Sequence, residues 1–363
     1  QPLLDQMKAT FGVSYEALGW VPTLTQVGYA VGMLFLVPLG DMLERKRLVI
    51  GFTFLSAICM AILALAPAFE FVIGASLVLG LSTMTPQLLI PFAAQLAQPS
   101  ARGKVIGTMM SGLLLGILLA RTVSGFIGAA YGWRAMFGCA SVFLFVLVFV
   151  LAAALPKSTP TYSGRYSDLL KSVVNLFRTQ PVLREASLFG AMLFGSFSVF
   201  WSTLIHLMET PAFNLGARSV GLYGLLGAAA AGVTPLIGSY VDKQDARKAT
   251  GLMIAVTIFS FVVFGLSVTS LVGIAAGVLL MDIGVQSGHV SNQSRILGLV
   301  PNAQSRLQTA YMFFYFAGGA AGSFLGNWAW GKYGWVGVCA TAIVMLVISL
   351  IRFLMPRPQA ATA

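Results

Sequence analysis

Asp41-Met42-Leu43-Glu44-Arg45-Lys46-Arg47 closes one long apolar stretch, and about two hundred positions later it returns as Asp242 with Lys243, Arg247 and Lys248. Two further landmarks keep nearly the same spacing. Pro99-Ser100-Ala101-Arg102-Gly103-Lys104 recurs loosely as Pro301-Asn302-Ala303-Gln304-Ser305-Arg306, and Gly132-Trp133 recurs as Gly334-Trp335. A near-constant offset over three landmarks marks a duplicated unit. In an apolar chain, two parallel halves imply a carrier whose halves rock about a substrate site placed between them.

Hydrophobic residues make up 58% of the chain and charged residues 9%, against about 25% charged in soluble domains. This composition belongs in a membrane. Apolar stretches long enough to cross a bilayer, which takes about 20 residues of helix, run over 17–39, 48–66, 71–96, 105–130, 135–155, 183–207, 217–241, 249–268, 271–299, 307–330 and 335–354. That is eleven, whereas two copies of a six-helix unit need twelve. The opening Gln1-Pro2-Leu3-Leu4-Asp5-Gln6-Met7 is therefore read as the outer end of a first helix whose start is absent. The expected fold is all-α, with two pseudo-symmetric six-helix bundles over 1–155 and 182–363 joined by a linker over 156–181.

The net charge of +11 is explained by topology without invoking nucleic acid. Threading the helices in order collects Arg45, Lys46, Arg47, Arg102, Lys104, Lys157, Arg165, Lys171, Arg178, Arg184, Lys243, Arg247, Lys248, Arg306, Arg352 and Arg357 on one side. Only Lys8, Arg134, Arg218 and Lys332 fall on the other. Short loops rich in Lys and Arg stay cytoplasmic, which puts the C-terminus on that side too. The linker repeats Tyr166, Leu169, Leu170, Val173, Val174 and Phe177 at helical spacing between basic residues, the pattern of an amphipathic helix on the cytoplasmic surface. Cys59, Cys139 and Cys339 lie inside apolar stretches without pair spacing, and no His, Cys or acid cluster has metal-ligand spacing, so no metal or cofactor is expected.

Asp282 stands about eleven residues into the 271–299 stretch, near the bilayer centre, where a lone carboxylate is costly and marks function by default. Asp282, Gln286, His289 and Gln293 follow at i, i+4, i+7 and i+11 and share one helix face. Such a stripe faces water or a polar partner. A carboxyl in that setting can bind and release a proton, which is what a proton-coupled carrier needs. The bland alternative is a permanent brace to a basic residue. His289 is a candidate to share the proton or contact substrate. Arg121, midway along 105–130, stays protonated. It can bind an anion or supply the counter-charge to Asp282. Thr83, Gln87 and Gln95 lie at helical spacing in 71–96, beside Pro86 and Pro91. Ser198, Ser202 and His206 do so in 183–207, beside Phe197, Phe200 and Trp201. Aromatics with a few polar groups suit a pocket for a partly apolar organic molecule.

Glycines gather at 107, 112, 116, 125 and 128 in one stretch and at 318, 319, 322 and 326 in its counterpart. Small residues at these steps let helix backbones approach closely. Asp41 and Asp242 are read as gate groups at helix ends, bonding free N–H groups at the start of a neighbouring helix.

The chain resembles a major facilitator superfamily transporter over essentially its whole length. The family signature G-x-L-A-D-R-x-G-R-R is met by Val37-Pro38-Leu39-Gly40-Asp41-Met42-Leu43-Glu44-Arg45-Lys46, which keeps Leu39, Asp41, Arg45 and Lys46 but replaces both outer glycines. The second-half copy, Gly238-Ser239-Tyr240-Val241-Asp242-Lys243, keeps the first glycine. The resemblance implies alternating access with Asp41, Arg45, Asp242 and Arg247 in a cytoplasmic gate. The run from Asn292-Gln293-Ser294-Arg295 through Arg306 to Tyr311-Met312 is similar to bacterial proton-driven drug and sugar exporters. Two positions depart from them. The antiporter signature G-x8-G-x3-G-P-x2-G-G is met by Gly107, Gly116, Ala120, Arg121, Ser124 and Gly125, with Arg121 at the proline position, and Ser76 stands near where those exporters carry an arginine.

The expectation is thus a proton-coupled exporter of small organic compounds in a bacterial cytoplasmic membrane, acting as a monomer with small-molecule substrate, protons and lipid as partners. A proton-coupled importer of a small organic anion clamped by Arg121 is the nearest rival. A non-transporting sensor or scaffold would have no need of a titratable Asp282. An enzyme is not expected, since the phosphate-loop-like run Gly326 to Lys332 has Tyr333 where Ser or Thr is required.

Overall fold

The structure is a computed structural model and describes residues 4–13, 15–208, 210–214 and 245–357. The described chain forms helices α1 (Leu4–Phe11), α2 (Tyr15–Phe35), α3 (Leu39–Met42), α4 (Arg45–Leu65), α5 (Phe69–Ser82), α6 (Thr85–Leu96), α7 (Arg102–Ala154), α8 (Tyr166–Thr179), α9 (Pro181–Met208), α10 (Ala246–Leu266), α11 (Leu271–Leu297) and α12 (Gln304–Leu354). The expected span 217–241 and the repeat element around Asp242 lie outside the described residues.

Among the described residues, eight helical segments are long and apolar enough to cross a membrane. Of the three fewer than eleven, one is 217–241, outside the described residues, and two are lost where neighbouring spans join. The stretches 105–130 and 135–155 run together as α7, and 307–330 and 335–354 run together as α12. A straight helix of 53 residues would extend about 80 Å, far beyond the roughly 30 Å hydrocarbon core. Both long helices are broken once, at Gly132 (φ 83°, ψ 167°) and at Gly334 (φ 59°, ψ −149°). Positive φ is open to glycine without a Cβ clash. The tryptophan after each glycine is buried, and its indole N–H anchors the turn, from Trp133 to Thr10 Oγ1 (3.0 Å) and from Trp335 to the Phe264 carbonyl (3.0 Å). The repeated Gly-Trp pair is therefore a span-reversing corner in both copies.

The chain divides into two compact units, residues 1–92 with 119–173 and residues 93–118 with 174–363. In the first, α2 and α5 touch backbone to backbone: a Cβ on Gly80 would fall 2.2 Å from the Thr25 carbonyl oxygen. Hydrogen bonds between Ser56 and Ser82 (2.8 Å), and from Ser141 to the Ala57 carbonyl (2.8 Å), tie α4 to α5 and α7. Lipid supplies no hydrophobic force between helices, so close packing and such bonds hold the bundle. The expected 71–96 span is interrupted at Thr83 and Met84, between α5 and α6, with Pro86 in the first turn of α6 where a missing N–H costs nothing.

In the second unit α9 and α12 make the tightest contact. Cβ atoms on Gly318 and Gly322 would fall 2.2 Å from the Ala191 oxygen and 2.1 Å from the Gly195 oxygen. Phe200 stacks on Phe264 at 4.3 Å, with Trp335 packed edge-on. The counterpart glycines behave differently: Gly112 and Gly116 have nothing within 4 Å of an added Cβ. Close backbone approach is therefore seen at Gly318 and Gly322 and not at Gly112 or Gly116. The linker forms α8, as its periodicity predicts.

Candidate functional site

The polar stripe lies on α11. Its small residues Gly277 and Gly284 pack against Phe264 and Thr257 of α10. Asp282, Gln286, His289 and Gln293 therefore sit on the face turned away from α10. Asp282 is 4% exposed, and its Oδ2 has no hydrogen-bond partner. No basic brace holds it among the described residues. Gln286 is half-buried. His289 is buried and its Nδ1 hydrogen-bonds with the Tyr311 hydroxyl at 2.9 Å, while its ring lies 4.4 Å from that of Tyr315. Gln293 donates to Gln308 Oε1 at 3.5 Å and leaves its own Oε1 unpartnered.

Asp282 and His289 are two helical turns apart, about 10 Å along the axis. His289 is engaged with Tyr311, so direct sharing of a proton between the two side chains is not what the geometry provides. Tyr315 also stacks on Phe194 of α9 at 4.2 Å, and Phe194 on Phe197 at 5.7 Å. α9, α11 and α12 thus join an aromatic wall to the polar stripe.

The remaining cavity candidates scatter. Ser198 is half-buried and lies against the Cβ position of Gly319. Trp201 packs on Phe197 and Phe200 with a buried, unpartnered Nε1. Ser202 bonds back to the Val199 carbonyl at 3.2 Å. His206 meets Asn327 Oδ1 at 3.3 Å and stacks on Trp330. In the first unit, Gln87 is buried and donates to the Tyr29 hydroxyl at 2.7 Å. Thr83 is exposed, with its hydroxyl returned to the Leu79 carbonyl at 2.6 Å, so it caps its own helix. The side chain of Arg121 and the whole of Asp242 lie outside the described residues.

The gate candidates differ between the units. Asp41 and Arg45 are both buried and form a 2.8 Å ion pair, with Arg45 Nε also donating to the Gly40 carbonyl at 2.8 Å. The Asp41 carboxylate thus holds a side chain from the first turn of α4. The backbone oxygen of Asp41 accepts from the N–H groups of Thr161 (2.8 Å) and Tyr162 (2.9 Å). Arg247 forms two 3.1 Å bonds to Glu185, which also holds Arg295 at 2.6 Å and Arg352 at 3.2 Å. Glu185 is 2% exposed. One buried carboxylate from the first turns of α9 thereby collects arginines from α10, α11 and α12. Sequence reasoning missed it. The available signal was an acid inside an otherwise apolar and basic helix start, Arg184-Glu185.

The Major Facilitator Superfamily family model matches residues 1–323. The chain belongs to the Major Facilitator Superfamily. It is 40% identical over 351 residues to the putative uncharacterized transporter YgaY of Escherichia coli K12, covering 97% of this chain and 89% of that protein. It is 34% identical to the probable transporter SCO4007 of Streptomyces coelicolor, covering 96% of this chain and 81% of the other. Its fold superimposes on the Escherichia coli fucose:proton symporter FucP with a TM-score of 0.75 at 12% identity, over 98% of this chain and 93% of FucP. This chain is a multi-pass membrane transporter of that superfamily, not an enzyme. The segment Gly326 to Lys332 is helical, within α12.

Proposed function

We propose that this superfamily member is a proton-coupled exporter of small, partly apolar organic compounds, working by alternating access. The observation that carries the reading is Asp282: a buried carboxyl in a membrane-spanning helix, with an unpartnered oxygen and, among the described residues, no basic group to brace it. A permanent structural acid would be paired, because an unpaired buried charge is costly. A carboxyl that must alternate between protonated and ionised forms is better left without a fixed cation. The adjoining wall of Phe194, Tyr315 and Phe197, with hydrogen-bonding capacity at His289 and Gln293, suits a ligand with an apolar body and few polar groups.

Inside-out membrane vesicles carrying the protein test direction and coupling together. With the lumen acid, candidate compounds accumulate in wild-type vesicles and not in Asp282→Asn vesicles. Accumulation that requires the opposite gradient identifies an importer. Accumulation equal in both proteins removes Asp282 from coupling.

A further inference from the structure

On the first unit, α4 and α5 leave an open groove of about 400 Å³ on an exposed side where Leu55, Ile62, Phe71 and Val78 are uncovered. Leu55, Ile58 and Ile62 line it from α4, at i, i+3 and i+7 of one helix face. Phe71, Gly74 and Val78 line it from α5. Gly74 is the reason the groove exists, because an added Cβ there meets no atom within 4 Å. At one end sits Glu70, in the first turn of α5, exposed and without a hydrogen bond or ion pair among the described residues.

The place of Glu70 relative to the membrane follows from α4. That helix begins at Arg45 and runs 21 residues, about 31 Å, which matches the hydrocarbon thickness of about 30 Å. Glu70 follows the far end of α4, so it stands at the interface opposite the Asp41–Arg45 pair. From Glu70 to Val78 the groove extends about 12 Å, close to the half-thickness of the bilayer core, about 15 Å. A carboxylate at the interface above an apolar slot one leaflet deep matches one kind of molecule. We infer that the α4–α5 groove is a phospholipid site in the leaflet opposite the Asp41–Arg45 pair, with an acyl chain over Gly74 and a primary-amine headgroup on Glu70.

The apolar slot gives retention and Glu70 gives headgroup choice, so the two are separable. The full-length protein is placed in bilayer discs containing equal amounts of ethanolamine, choline and glycerol headgroup lipids with identical chains. Retained lipids are then counted by native mass spectrometry. Ethanolamine donates N–H bonds, choline has none, and the glycerol lipid carries net negative charge. Wild type is expected to retain the ethanolamine lipid over the glycerol lipid by about fivefold, the scale of one exposed ion pair. Glu70→Gln brings that ratio close to one while lipid is still retained. Gly74→Leu, whose Cβ meets no atom within 4 Å, lowers retention of all three lipids together. Unchanged headgroup preference in Glu70→Gln, unchanged retention in Gly74→Leu, or a retained molecule that is not a phospholipid overturns the assignment. Each variant's unfolding temperature is recorded beside its lipid count, and Glu70→Gln, conservative and exposed, keeps the headgroup test available if Gly74→Leu folds poorly.

Discussion

Among the described residues, the arginine-rich ends of the two units manage buried charge differently. In the first, Asp41 and Arg45 form a buried ion pair between residues four apart in the chain. In the second, Glu185 faces Arg247, Arg295 and Arg352, drawn from three different helices. A local pair can be made or broken without moving a helix. A shared carboxylate ties four helix ends to one point, and three guanidiniums that repel one another depend on it. Arg247 meets a carboxylate from another helix, whereas Arg45 meets one from the preceding turn; Asp242 lies outside the described residues.

Removing the shared acid should therefore be the more damaging change. Glu185→Ala leaves three arginines without their buried counter-charge, and loss of one partner from a buried ion pair costs about 3–5 kcal/mol. Thermal unfolding in detergent should show this as the largest loss of the series. Asp41→Asn also leaves a buried cation, but only one, and keeps the Arg45 bond to the Gly40 carbonyl, so its loss falls at the low end of the same range, about 3 kcal/mol. Equal losses at the two sites would mean that the three-helix connection adds nothing to the second unit.

The glycine stripes offer a second form of the same comparison. Gly322→Ala drives a Cβ to 2.1 Å from a backbone oxygen of α9, where overpacking typically costs about 1–3 kcal/mol. Gly112→Ala meets open space and should be neutral or raise stability by up to about 1 kcal/mol, the helix propensity difference. Trp335→Phe and Trp133→Phe are the mildest pair, each losing one indole hydrogen bond worth about 1 kcal/mol. Similar losses from both support the corner as a shared element. A loss confined to one would show that the corner has diverged as well.

Periodicity made much of this legible. Asp282, Gln286, His289 and Gln293 fall on one face because helix spacing requires it, and the Gly-Trp landmarks recur because both copies turn on a positive-φ glycine. Span length said where the membrane is. It could not say that two spans join directly through a single glycine, with no loop between them, since that depends on φ and ψ at Gly132 and at Gly334 alone.

Glu185 was out of reach for a different reason. Its partners are 62, 110 and, at Arg352, still more residues away in sequence, and no local pattern records a contact made by three distant helix ends. Proline content foreshadowed the interruption near Thr83, while the exposure of Thr83 itself depends on which way a capping hydroxyl turns. The unpartnered oxygen of Asp282 is likewise a tertiary fact: sequence placed the acid in the membrane, and only packing shows that no described residue neutralises it.

Substrate-evoked proton release tests the central claim most directly. Purified protein in weakly buffered detergent is mixed with candidate compounds while pH is recorded, comparing wild type with Asp282→Asn. Release from wild type that disappears in Asp282→Asn, with compound binding retained, is the predicted result. Equal release from both proteins on binding the same compound would contradict it and place the exchanged proton on another group.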